Sequence, residues 1–213
     1  MAEVVSIQIG KIQTYEGWRT ATYKNPVQGA VALGTEGFAG DQQADRRYHG
    51  GPDKAVLVYS HDHYGPWHAE LFPEPLPAGA FGENILVSAM SEADVCIGDV
   101  YDLGEARVQV SQPRKPCGKQ ARRWGIADLV EQMNRRGWTG WYVRVLREGS
   151  VQAGDGFALV ERPYAEWTVA RAHEVMHFQK KDADAAAALA ACPALSGDWV
   201  EELQLRVAKL RKV

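Results

Sequence analysis

As far as residue 161 the chain is a succession of short extended runs divided by glycine and aspartate turns, with no regular alternation of strand and helix. That pattern disfavours a doubly wound parallel sheet and points to a β-sandwich or barrel. Residues 4–9 set the period: Val5, Ile7 and Ile9 fall on one side and Ser6 and Gln8 on the other. Further runs at 30–33, 55–59, 84–87, 100–103, 106–110, 141–146 and 157–161 read as strands. Gly40-Asp41, Gly50-Gly51-Pro52-Asp53, Gly98-Asp99 and Gly154-Asp155-Gly156 separate several of them. Two helices interrupt the β region. One spans 65–71 with Pro66 in its first turn. The other begins after Asp128 and stops before Gly137, with Ile126, Leu129, Val130 and Met133 forming an apolar stripe.

Beyond Glu161-Arg162-Pro163-Tyr164 the period turns helical. Thr168, Asp182 and Ser196 each stand where an N-cap belongs, and Val200, Leu203, Val207 and Leu210 share one face of the last helix. We expect a mainly β, barrel-like unit over 1–163 and a small three-helix unit over 164–213. The latter is too thin to hold its own core, so it must lean on the β unit or on another protein.

The start of the chain carries no basic region followed by an apolar stretch, and no apolar run approaches membrane-spanning length, which makes the cytoplasm the expected location. Three widely separated cysteines, Cys96, Cys117 and Cys192, suit neither a disulfide framework nor a CxxC zinc site. A formal net charge of −3 argues against bulk attraction to nucleic acid or anionic lipid. Locally, Arg114, Lys115, Lys119, Arg122 and Arg123 form a basic spot sized for one or two phosphates, not for a duplex.

That spot surrounds the most reactive-looking residue. In Ser111-Gln112-Pro113-Arg114-Lys115-Pro116-Cys117-Gly118-Lys119 one cysteine sits among two prolines and three cations. Proline continues neither a ladder nor a helix, so an exposed loop of restricted shape is expected here. Nearby positive charge is the setting in which a cysteine acts as nucleophile or soft-metal ligand. Three glycine-marked clusters precede it: 37–47, Tyr48-His49-Gly50-Gly51-Pro52-Asp53-Lys54, and Phe81-Gly82-Glu83-Asn84-Ile85. Glycines there permit close backbone approach to a ligand, and Glu83 and Asn84 offer acceptors and donors to a heterocycle.

His49-Gly50-Gly51-Pro52-Asp53-Lys54-Ala55, Gly79-Ala80-Phe81-Gly82-Glu83-Asn84-Ile85, Gly98-Asp99-Val100 and Ser111 to Cys117, in that order, resemble the MOSC domain, and in particular its YiiM-type subgroup with a three-helix extension. The resemblance implies a barrel-like domain binding a molybdopterin-type molybdenum cofactor, with Cys117 as ligand to the metal. It further implies reduction of N-hydroxylated bases such as 6-hydroxylaminopurine, with electrons from a separate reductase. By the same resemblance Glu83, Asn84, His49 and Gly51 lie near the metal and pterin, Arg114, Lys119 and Lys24 lie near its phosphate, and Gly50, Phe81, Gly82 and Gln112 also bind the cofactor. Lys24 stands in Lys24-Asn25-Pro26-Val27, similar to a segment of the subgroup. Gly118 follows the cysteine where the subgroup commonly has an aromatic, which leaves the metal side less covered.

Alternatives stay open on the residues themselves. An activated Cys117 also suits a sulfur carrier holding a persulfide, and the cleft a non-catalytic cofactor-binding module. His49 reads equally as a turn histidine. Arg46 and Arg47 read equally as surface partners of Asp41 and Asp45. His61, His63 and His68 lack the spacing of a zinc site, His173 and His177 read as surface residues, and Cys96 and Cys192 as structural thiols. No GxGxxG fingerprint for flavin or nicotinamide is present.

Overall fold

The computed structural model describes residues 2–212. In chain order the elements are β1 (Val4–Ile9), β2 (Gln13–Tyr15), β3 (Trp18–Thr20), β4 (Asn25–Pro26), β5 (Val31–Gly34), β6 (Gly37–Phe38), α1 (Arg46–His49), β7 (Val56–Ser60), α2 (Tyr64–Glu70), β8 (Ile85–Val87), β9 (Val100–Leu103) and β10 (Ala106–Pro113). They continue with α3 (Gly118–Trp124), α4 (Leu129–Arg136), β11 (Trp141–Arg147), β12 (Gly149–Val151), β13 (Phe157–Glu161), α5 (Val169–His177), α6 (Ala183–Ala190) and α7 (Gly197–Leu210). None of these helices is long and apolar enough to cross a membrane.

An eight-stranded sheet runs β13-β9-β10-β11-β7-β8-β1-β4, antiparallel throughout except for the parallel pair β7 and β8. It curls until its two ends meet. Glu3 bridges Gly156, Val4 N donates to Asp155 O at 2.8 Å and Phe157 N donates to Ala2 O at 2.9 Å. The result is a mixed, sheet-dominated, barrel-like fold, with the three-stranded β12-β5-β6 and the β2-β3 hairpin beside it.

The interior is filled by the inward positions of the strands, among them Ile7, Val56, Val58, Val108, Val110 and Val143. β1 departs from strict alternation. A bulge between Val4 and Ser6 turns Val4 inward and leaves Val5 39% exposed, because the extra residue on a bulged strand reverses the facing of its neighbour. A second bulge in β10 between Val110 and Gln112 ends its alternation too, so Ser111, Gln112 and Pro113 are all buried.

A second apolar cluster gathers Tyr59, Trp67, Phe72 and Phe81 with Leu129 and Met133 of α4. Phe81 stacks on Tyr59 at 4.7 Å between ring centroids, which gives the glycine turn at 79–82 a rigid floor.

The C-terminal helices do lean on the barrel. Val175, Met176, Leu189, Trp199 and Leu203 belong to the same hydrophobic cluster as Ile97, Val108 and Val110. Burying each such side chain contributes about 1.5–3 kcal/mol, so the barrel and helices stabilise one another. Thr168 Oγ1 caps α5 by accepting from Arg171 N at 3.0 Å, and Asp182 Oδ1 caps α6 by accepting from Ala185 N at 2.8 Å. Ser196 precedes α7 as expected but makes no side-chain cap, its backbone N donating instead to Ser111 O at 3.0 Å.

Two surface expectations are corrected here. His173 is 2% exposed, with Nε2 2.9 Å from Asn134 O, and its ring lies 4.4 Å from that of His177. Asp41 pairs with the buried Lys24, while Arg46 pairs with Glu36; the side chain of Arg47 lies outside the described residues.

Candidate functional site

The cysteine stretch is not a free loop. Pro113 still pairs with Trp141 at the end of β10, Arg114 N donates to Gly140 O at 3.0 Å, and Cys117 is the N-cap residue of α3. Two prolines fit because one ends a strand and the other precedes a helix, positions that need no ladder or helical N–H. Cys117 is half-buried, whereas Cys96 and Cys192 are buried, and all three are free thiols.

Cys117 stands where two cavities join. The inner cleft is lined by Lys24, Lys54, Phe81, Gly82, Asn84 and Arg114, with Thr22 and Gln120. The outer groove is walled by Gln112, Lys115 and Tyr48 on one side and the start of α7 on the other. Cys117, His49, Lys54, Lys119, Asp45 and Tyr142 line both.

Arg114 decides the character of the inner cleft. It is 3% exposed, donates through Nη2 to Phe81 O at 3.0 Å, and its buried Nη1 has no partner. An unpaired buried guanidinium N–H is costly unless an anion satisfies it. Lys24 Nζ is held by both oxygens of Asp41 at 2.7 and 2.8 Å; burial pushes its pKa down and Asp41 pulls it back up. His49 is pushed down to about 4, chiefly by burial and then by Arg114 and Lys119, so near neutral pH it is an uncharged donor and acceptor. Burial raises Tyr142 to about 12, which keeps its hydroxyl protonated.

The other expected residues serve different ends. Glu83 is fully buried and does not line the cleft. Its carboxylate accepts from Gly79 N at 2.7 Å, Phe81 N at 3.0 Å and the hydroxyl of Tyr64, and so shapes the turn. Asn84 donates to Gln8 O at 3.2 Å and Asp41 Oδ2 at 2.9 Å and accepts from Leu57 N at 3.2 Å. Gly50 and Gly51 sit beside a separate shallow recess with Asp53 and Asp198. His63 is buried against Glu92 at 2.7 Å, away from His61, and among the described residues no three His, Cys, Asp or Glu side chains form a metal-binding group.

The MOSC domain family matches residues 45–158, and the YiiM-like 3-alpha helix domain matches residues 167–210. The chain belongs to the MOSC domain family. YflK of Bacillus subtilis (strain 168) is 44% identical over 200 residues, covering 92% of this chain and 90% of that protein. A protein named reductase from Gibberella moniliformis (strain M3125 / FGSC 7600) is 41% identical over 160 residues, covering 74% of this chain but 28% of that longer protein. The crystal structure of YiiM from Geobacillus stearothermophilus superimposes with a TM-score of 0.85 at 36% identity, covering 97% of this chain and all of that one, 100%.

MOSC domains as a family are associated with molybdenum cofactor binding. The inner cleft of this MOSC protein fits such a group. It offers a thiol for a soft metal, the unpaired Arg114 Nη1 with Lys119 for a phosphate, and Gln120, whose Oε1 is buried without a partner, for a pterin edge. Gln120, Thr22, Lys54 and Tyr142 were not singled out as ligand contacts from sequence. Only the helical offset of Gln120 from Cys117 hinted at it, and α3 itself was not anticipated.

Proposed function

We propose that the inner cleft holds a molybdenum cofactor with Cys117 as protein ligand to the metal, and that the protein reduces N-hydroxylated bases and related compounds. The observation that carries this reading is Arg114 Nη1, a buried cationic donor without a partner in the cavity that Cys117 also lines. The fungal relative named reductase supports the class of reaction. Bound there, the cofactor would supply a two-electron centre. Overall, the substrate N–O bond breaks, two electrons and two protons are consumed, and the amine and water are released. The residues here bind and orient. Arg114 and Lys119 offset negative charge in the cleft, while neutral His49 and protonated Tyr142 offer hydrogen bonds on the side where Cys117 opens outward. Electrons would come from a partner reductase.

The test is metal analysis and pterin fluorescence on protein made in a host that synthesises the cofactor. Cys117→Ser should lower bound molybdenum by more than about tenfold and abolish reduction of 6-hydroxylaminopurine. Full molybdenum content in that variant would remove the ligand assignment. A sulfur adduct on Cys117 in metal-free protein would point to sulfur carriage instead.

A further inference from the structure

The two cavities that meet at Cys117 differ in charge. Of the cations lining the inner cleft, Lys24 is held by Asp41 and Lys54 by Asp198, which leaves Arg114 and Lys119 beside the carboxylate of Asp45. In the outer groove Lys54, Lys115 and Lys119 face four carboxylates, Asp45, Asp198, Glu201 and Glu202. The last three project from the first turns of α7, and two of them neutralise lysines directly, Asp198 with Lys54 and Glu202 with Lys115. Glu201 makes no ion pair among the described residues. An anion entering the groove therefore meets Glu201 at a wall where two of the three lysines, Lys54 and Lys115, are already engaged by Asp198 and Glu202.

Gln112 gives the groove a second trait. It is 4% exposed and lines the groove; its Nε2 donates to Pro113 O at 3.2 Å, and its buried Oε1 has no partner. Trp199, another wall residue, has an indole N–H that is likewise unpartnered. A buried acceptor and a buried donor left open suit a ligand that carries both functions, as amidine-like nitrogen heterocycles do. A purely apolar occupant would leave both unsatisfied.

We propose that the outer groove is the substrate compartment, and that the carboxylates of α7 with Gln112 select uncharged or cationic N-hydroxylated amidine-type bases over their phosphorylated forms. This inference rests on the functional reading above for its reaction, but the charge selection belongs to the groove itself. It gives the C-terminal helices a direct part in the site, with Glu201 as a specificity-determining residue.

Two measurements test it separately. Holoprotein supplied with reduced methyl viologen is assayed on 6-hydroxylaminopurine, on the corresponding ribonucleoside 5′-monophosphate and on a cationic N-hydroxyguanidine. Wild type should prefer the base and the guanidine. Glu201→Lys should move the kcat/KM ratio about three- to tenfold toward the monophosphate, and Glu201→Gln roughly half as far on a logarithmic scale. Metal-free protein is then labelled at Cys117 with cationic and with anionic methanethiosulfonates, the other two thiols being buried. The ratio of anionic to cationic rates should rise in the same order across the variants. Ratios unchanged within about twofold in both measurements, with molybdenum content intact, would overturn the selection. A labelling shift in a protein that never acquires molybdenum would remove the functional reading and leave the groove's charge selection standing.

Discussion

Arg114 shows how a single side chain can be set for a ligand at the expense of the empty protein. Its guanidinium is buried with one hydrogen bond to Phe81 O and one nitrogen unpaired. Replacing a poorly satisfied buried charge with an apolar group of similar length is often neutral or stabilising. Arg114→Met should therefore leave the unfolding midpoint of metal-free protein the same or higher, and lower cofactor retention about ten- to a hundredfold. Urea titration and pterin fluorescence read the two effects, and a large stability loss without loss of pterin would contradict the assignment. From sequence, Cys117, Lys119 and Arg114 were legible because proline and charge crowd around one thiol. Their burial was not: Arg114 looked like part of a surface basic spot, and only the closure of Gly140 and Phe81 around it takes it out of solvent. The Lys24 to Asp41 pair was equally hidden, since its partners lie 17 residues apart with no pattern in the sequence that links them.

At the scale of elements, the turn before β8 governs the site. Gly79 has φ of +85°, and a Cβ there would stand 2.6 Å from Lys24 O. Glu83 ties the same turn through Gly79 N and Phe81 N, and Phe81 O in turn receives Arg114 Nη2 and, at 2.8 Å, Gln120 Nε2. Gly79→Ala should cost roughly 1–3 kcal/mol through backbone strain and displacement of Lys24. A thermal melt showing an unchanged midpoint would refute that. The main strands were legible because alternation and glycine turns agree with burial over most of their length. The β2-β3 hairpin was not, because its turn is Glu16-Gly17, with Glu16 at φ of +47°, in place of the Asn-Gly signal that usually announces such a turn. The helix α3 was masked by prolines ahead of it and by a cysteine in the cap position, where oxygen side chains are the usual sign.

Across the whole molecule, barrel and helices are coupled by a shared core and by a histidine pair at their junction. His173 and His177 on α5 lie close together, and His177 is pushed down to about 3 by burial, then by His173, Lys115, Lys180 and Arg206. Those groups come from α5 and the segment after it, from the β10 to α3 connection and from α7, all cationic or neutral. His173 is lowered as well, mainly by burial. The folded chain thus holds fewer protons than the unfolded chain between the ordinary histidine value of 6.5 and about 3. Stability is fully present above 6.5 and is lost as pH falls toward 3. His177→Gln should flatten the fall of the urea midpoint between about pH 7 and 4; a slope equal to that of wild type would show that this pair does not carry it. The shared core was foreseeable, since three short helices with one apolar face each cannot fold alone. The junction was not, because His173 and His177 at a spacing of four looked like a solvent-facing stripe. Finally, the bridge from Glu3 to Gly156 stitches the two margins of the main sheet together. Unpaired strand margins are where soluble β proteins template one another into aggregates, so this seam should make the protein tolerant of high concentration, and loosening it would be the first step toward self-association.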